Sequence, residues 1–187
     1  MNPQYSLANA TQLHGKELSY NNIQDGNAAI EILKDFEGQY AAVGVKHMNP
    51  CGVGIGENIE AAWDKAYEAD SISIFGGIVA LNAKVEKGLA EKLSKIFLEI
   101  IIAPDFSEEA LEILTRKKNI RLMKLDTSLS VSSGLKYTNV NDGLLVQEMD
   151  QHTINEEDLK CVTNRKPTEE EIKQLLFGWK VVKHVKS

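Results

Sequence analysis

Cysteine is scarce in this 187-residue sequence: Cys51 and Cys161 stand 110 positions apart, which excludes a disulfide framework and a Cys-x-x-Cys metal knuckle. Two free thiols fit a reducing compartment. There is no long apolar run, since the strongest, residues 97–103, is too short to cross a bilayer and is broken by Glu99. Basic residues are in the minority. Twenty-one Lys and Arg against 27 Asp and Glu leave a net charge of -6, the wrong sign for a general nucleic-acid binder that must neutralise phosphates. Residues 1–5 have neither the basic region nor the apolar stretch of a signal peptide. What is present is ordinary for a globular protein, 43% hydrophobic and 26% charged, so disorder is excluded as well. The expectation is a soluble cytoplasmic protein, without nucleic-acid or membrane partners, of one domain or one domain with an appendage.

Strand and helix patterns alternate through about residue 126. Ala29, Ile32, Leu33 and Phe36 share one helical face, which predicts a helix over 25–36 with Asp25 as its cap. Residues 40–45 read as a short buried strand ending at a loop that begins with Lys46. Asn58 caps a second helix carrying Ile59, Ala62, Trp63 and Ala66. Residues 72–81 read as strand interrupted by Gly76-Gly77. Leu89, Leu93 and Ile96 mark a third helix, 98–102 a buried strand, Ser107 the cap of a fourth helix, and 120–125 another strand. This order predicts a layered α/β fold with a largely parallel sheet. Residues 127–150 read as loop plus a short strand at 144–146. Thr168 and Glu171 form a capping box for a last helix bearing Leu175, Leu176 and Trp179, and core packing is expected for both Trp63 and Trp179.

The segment richest in chemistry is Lys46-His47-Met48-Asn49-Pro50-Cys51-Gly52-Val53-Gly54-Ile55-Gly56, at the carboxyl end of a predicted strand, where open α/β sheets place ligands. His47 exchanges a proton near neutral pH, and Lys46 beside it supplies a cation. One suits the acceptance of a proton from a nucleophile and the other the stabilisation of an oxyanion, as acyl transfer requires. The bland alternative is a solvated lysine beside a loop histidine. Gly52, Gly54 and Gly56 read as a flexible turn or a weak anion cradle, because their spacing fits neither the dinucleotide nor the P-loop pattern. The zinc deaminases use His-x-Glu and Pro-Cys-x-x-Cys, but here Asn49 replaces the glutamate and Gly54 the second cysteine, so no zinc site is expected. Glu99 interrupts an apolar strand and needs partners, in a ligand or in solvent.

Residues 12–22 (QLHGKELSYNN), 45–52 (VKHMNPCG), 73–80 (SIFGGIVA), 99–104 (EIIIAP) and 179–187 (WKVVKHVKS) together resemble the bacterial bifunctional purine-biosynthesis enzymes. Those join an aminoimidazole-carboxamide ribonucleotide (AICAR) formyltransferase to an inosinate (IMP) cyclohydrolase. The resemblance runs through essentially the whole chain, and it implies a transferase moving a formyl group from the cosubstrate 10-formyl-tetrahydrofolate to the 5-amino group of AICAR, with no metal. It makes His47 the proton acceptor and Lys46 the transition-state stabiliser, both catalytic. Phe75, Gly76 and Glu99 become nucleotide-binding residues, Glu99 where some relatives carry Asp.

The resemblance further implies a cytidine-deaminase-like α/β fold without zinc and a homodimeric full-length enzyme. Residues 1–126 would form the first formyltransferase subdomain and 127–187 a connecting segment and helix. An upstream Arg-Tyr-Gly motif, an Asn following Ser187, the cyclohydrolase domain and a second subdomain would lie outside this chain, leaving it inactive alone. The alternative is a stand-alone nucleotide-binding or regulatory module without catalysis.

Overall fold

Six strands form one sheet in the computed structural model, which describes residues 6–126 and 134–186. In chain order they are β1 (Thr11–His14), β2 (Tyr40–Lys46), β3 (Asn49–Gly56), β4 (Ile78–Leu81), β5 (Ile100–Ala103) and β6 (Arg121–Lys124). Their order across the sheet is β1-β6-β5-β4-β2-β3. Strands β4, β5 and β6 pair in parallel, whereas β1 with β6, β2 with β4 and β2 with β3 are antiparallel. Four of the six, β3 to β6, therefore point one way and two the other, a mixed sheet with a parallel majority.

Helices cover both faces. Alternate residues Ala42, Val79, Leu81, Ile101 and Ala103 belong to a cluster with Ala62, Trp63 and Ala66 of α2 (Ile59–Ala69), Leu89 and Leu93 of α3 (Lys87–Ser94) and Leu114 of α4 (Glu108–Leu114). The intervening residues Ile100 and Ile102 are also fully buried. There α1 (Tyr20–Lys34) covers the sheet, its Gly26 lying so near Ile102 that an added Cβ would stand 3.4 Å from it. Near-continuous apolar strands are what a sheet covered on both faces demands.

The local signals hold where side-chain caps were visible. Asn58 accepts the Ala61 N–H and Ser107 the Ala110 N–H. Helix α1, however, starts five residues before the predicted Asp25, because Ser19 and Asn22 form a reciprocal capping box. The glycine-rich segment after Lys46 is a strand rather than a flexible turn or anion cradle. A Cβ on Gly52 would meet the Ala66 carbonyl oxygen at 2.0 Å and one on Gly54 that of Ala62 at 2.1 Å, so glycine here admits the close approach of α2. Residues 72–77 are turn, and the strand begins only at Ile78.

The chain divides into two compact units, 1–130 with 180–187, and 131–179. The second contains a hairpin of β7 (Leu135–Val140) and β8 (Gly143–Glu148), longer than the predicted strand at 144–146, and the greater part of α5 (Glu169–Val182). The expected Thr168–Glu171 capping box is present. Trp63 is 3% exposed, but Trp179 is 54% exposed, so core packing is found for the first and not for the second. Residues 127–133 lie outside the described residues. Among the described residues no helix is long and apolar enough to cross a membrane.

Candidate functional site

One row of the sheet register brings the candidate residues to a common edge. Val45 pairs with Ile78, Ile78 with Ile100, and Ile100 with Arg121. Lys46 follows Val45, whereas Gly77 and Glu99 immediately precede Ile78 and Ile100. This edge is thus the carboxyl end of β2 but the amino end of β4, β5 and β6. The expected carboxyl-end position holds for Lys46 at the end of β2, but Gly76 and Glu99 precede the amino ends of their strands. Convergence arises instead because β2 runs against its parallel neighbours.

Lys46 closes β2, and its half-buried ammonium donates to the Phe75 carbonyl at 3.0 Å. His47 and Met48 are the two tip residues of the β2–β3 hairpin, since Lys46 pairs with Asn49. Both have left-handed backbone, with φ of 54° and 60°. For non-glycine residues that conformation costs about 1–3 kcal/mol each, and it persists only where the surroundings impose it. Next to the tip, Gly44 pairs with Gly52 and Val45 with Pro50, so Cys51 is the extra residue of a bulge. Burial pushes the Cys51 thiol up, Asp70 adds to the effect, and the group is correspondingly weak as a thiolate nucleophile.

Phe75 and Gly76 lie in the turn before β4. Phe75 is 57% exposed and its ring meets that of Phe97 at 5.6 Å between centroids. Gly76 has φ +74°, with nothing nearer than 3.6 Å to an added Cβ, so it is conformation rather than space that favours glycine. The Gly76 N–H donates to Phe97, and the Glu99 N–H to Gly77, stitching this turn to the start of β5.

The partner that Glu99 needs is Arg121, which sequence reasoning missed. Its Nη1 donates to Glu99 Oε2 at 2.7 Å, while its Nε donates to the Glu17 carbonyl at 3.0 Å. The Arg121 side chain is 10% exposed and that of Glu99 37%, so the pair spans from the interior to the surface. The Glu99–Arg121 spacing carries no signal in sequence. Only the parallel register of β5 and β6 brings the two together.

The terminal residues 180–186 also reach this region. Lys186 donates its N–H to Asn49 Oδ1 at 2.7 Å, and upstream Asp35 receives His184 Nε2 at 2.6 Å and Lys183 Nζ at 3.3 Å. Burial alone would raise Asp35, but the hydrogen bond from His184 and the charges of His184 and Lys183 outweigh it and hold the carboxyl below its ordinary value. At the opposite edge, a pocket of about 440 Å³ is lined by Asn58, Glu60, Asp64, Glu86 and Lys92. Lys92 neutralises it from within, 2.7 Å from Asp64 and 3.4 Å from Glu60. Among the described residues no three His, Cys, Asp or Glu side chains are grouped to hold a metal ion.

Comparison with known proteins bears on this arrangement. The bifunctional purine biosynthesis protein PurH of Lysinibacillus sphaericus is 62% identical over 183 residues, 98% of this chain and 36% of that protein. PurH of Bacillus subtilis is 57% identical over 97% of this chain and 35% of its own length. The chain thus spans little more than a third of the curated relatives it matches. Among solved structures, a dCMP deaminase from cyanophage S-TIM5 covers 55% of this chain and 98% of its own at 10% identity and a TM-score of 0.42. RibD of Acinetobacter baumannii covers 56% and 35% at 16% identity and the same TM-score. Likenesses this loose carry no argument about chemistry. The sequence match is of another order, since residues 1–187 fit one family throughout, and the chain belongs to the AICARFT/IMPCHase bienzyme family.

Proposed function

We propose that this chain forms part of a formyltransferase of purine biosynthesis, in which the edge carrying Lys46, His47, Phe75, Gly76 and Glu99 binds AICAR and presents its amine to 10-formyl-tetrahydrofolate. The observation that carries the reading is the shared sheet row, Val45–Ile78–Ile100, which puts three separate segments at one edge. Family membership supports the same reading.

The amine of AICAR is conjugated to its ring and is a poor nucleophile, so a base that removes its proton during attack is worth placing. In the proposed step the nitrogen bonds to the formyl carbon, and its proton passes to the His47 imidazole. The bond from that carbon to N10 then breaks, and His47 returns its proton to N10 as tetrahydrofolate leaves. The Lys46 ammonium sits beside the negative oxygen of the tetrahedral adduct. Glu99 keeps Oε1 for a nucleotide hydroxyl while Arg121 holds Oε2. The exposed Phe75 ring offers an apolar face to the imidazole of the substrate.

The test is an assay of the full-length protein containing this segment, with AICAR and 10-formyl-tetrahydrofolate as substrates. Formation of formyl-AICAR and tetrahydrofolate in equal amounts is the expected result. Binding of AICAR with no turnover would favour a regulatory nucleotide-binding role instead.

A further inference from the structure

Asp25 lies in the second turn of α1 and has no part in the chemistry proposed above. Its Oδ1 nevertheless accepts the Met48 N–H at 2.8 Å, at the tip of the β2–β3 hairpin. Two-residue hairpin tips with both residues at positive φ are ordinarily built from Asn-Gly or Asp-Gly, which adopt that backbone at little cost. This tip is His47-Met48 and has neither. Its backbone is held from outside. Lys46 is tied to Phe75, Met48 to Asp25, and Asn49 to Lys186, each on a different element. Among the described residues the exposed His47 imidazole has no hydrogen-bond partner, so what the structure fixes is the backbone from which the ring departs, and with it the space the ring can reach.

We infer that Asp25 is a positioning residue: by holding the Met48 N–H it locks the left-handed hairpin tip and thereby fixes where the His47 imidazole is presented. This rests on the reading of His47 as proton acceptor. A misplaced base loses rate steeply, because proton transfer requires hydrogen-bond reach to the reacting group, whereas binding of a nucleotide through other segments is little affected. The lock depends on an acceptor oxygen and not on the carboxylate charge, and it matters only while the tip residues resist positive φ.

Three variants of the full-length protein separate these points. Asp25→Ala removes the acceptor and is expected to lower kcat for formyl transfer about tenfold or more, with KM for AICAR within about twofold of wild type. Asp25→Asn keeps an acceptor oxygen and should retain kcat within about threefold. Asp25→Ala combined with Met48→Gly should recover most of the lost rate, because glycine takes the tip conformation freely. A merely structural role for Asp25 would not produce that rescue or that split between kcat and KM.

Exchange of the Met48 amide hydrogen, followed in the same proteins, reads the lock without reference to activity. It should accelerate in Asp25→Ala and stay near the wild-type rate in Asp25→Asn. Unchanged kcat in Asp25→Ala, or an equal loss in Asp25→Asn, overturns the inference. If the wild-type protein transfers no formyl group, the proposed function fails on its own. The amide exchange then decides the lock, with acceleration in Asp25→Ala supporting it and an unchanged rate overturning it.

Discussion

The two ends of the six-stranded sheet are built on opposite terms. At the end where α2 and α4 begin, side-chain caps are in place and Lys92 neutralises the neighbouring carboxylates. At the other end two non-glycine residues hold left-handed backbone, Phe75 is exposed beside Phe97, and a buried arginine reaches out to Glu99. The first end satisfies local rules and stabilises the fold. The second also has a capped helix, α1, but its hairpin tip departs from local preference and is sustained by contacts from α1, the turn before β4 and the terminal residues, the pattern expected where structure serves function.

On that contrast, changes at the first end should cost stability alone, whereas changes at the second should reach activity or nucleotide binding, with or without a cost in stability. The largest effect is expected at the hairpin tip. His47→Ala in the full-length protein should lower formyl transfer about 10²–10⁴-fold, the usual contribution of a general base, with AICAR affinity largely kept. Steady-state kinetics and equilibrium binding check it, and a His47→Ala enzyme with wild-type turnover would remove the assigned base. Next comes Arg121→Met, which leaves Glu99 and the Glu17 carbonyl without their donor. The partial exposure of Glu99 moderates the loss, so about 1–2 kcal/mol of stability is expected, with weaker AICAR binding. Denaturant unfolding and a binding titration measure the two parts. An unchanged affinity would separate Glu99 from the nucleotide.

At the opposite end, Asn58→Ala removes the α2 cap and should cost about 1 kcal/mol while leaving formyl transfer unchanged. A matching loss of kcat would erase the contrast between the ends. The smallest effect lies outside both. Hydrogen bonds from Arg165, with the Thr168 N–H, hold the Glu171 carboxyl down to about 2 from its ordinary 4.5. A lowered folded-state value means that the contribution to α5 is complete above about 4.5 and fades as pH falls through about 2. Helicity followed by circular dichroism on acidification should show that window, and Glu171→Gln should abolish the dependence.

Much of this architecture is legible in the residues alone, for identifiable reasons. Asn58 and Ser107 announce their helices because capping is local, and the apolar runs at 78–81 and 100–103 announce buried strands. Lys46 and His47 stand out by residue type. Strand β1 is hidden because it is four residues long and mostly exposed. The start of α1 is hidden because Asn22 takes the place usually filled by Glu or Gln in a capping box. Strand β3 is masked by its glycines, which normally weaken a strand and here admit the backbone of α2. Pairings such as Glu99–Arg121 and Asp25–Met48 depend on register and helix placement, which no local pattern encodes.

The most direct test of a single nucleotide site at one sheet edge is hydrogen–deuterium exchange of the full-length protein with and without AICAR, resolved by peptide. Protection is expected in peptides covering 44–50, 74–78 and 97–100, with residues 57–64 and 86–92 at the opposite edge unchanged. Protection confined to 57–64 and 86–92 would put the nucleotide in the pocket beside Lys92 and contradict the account.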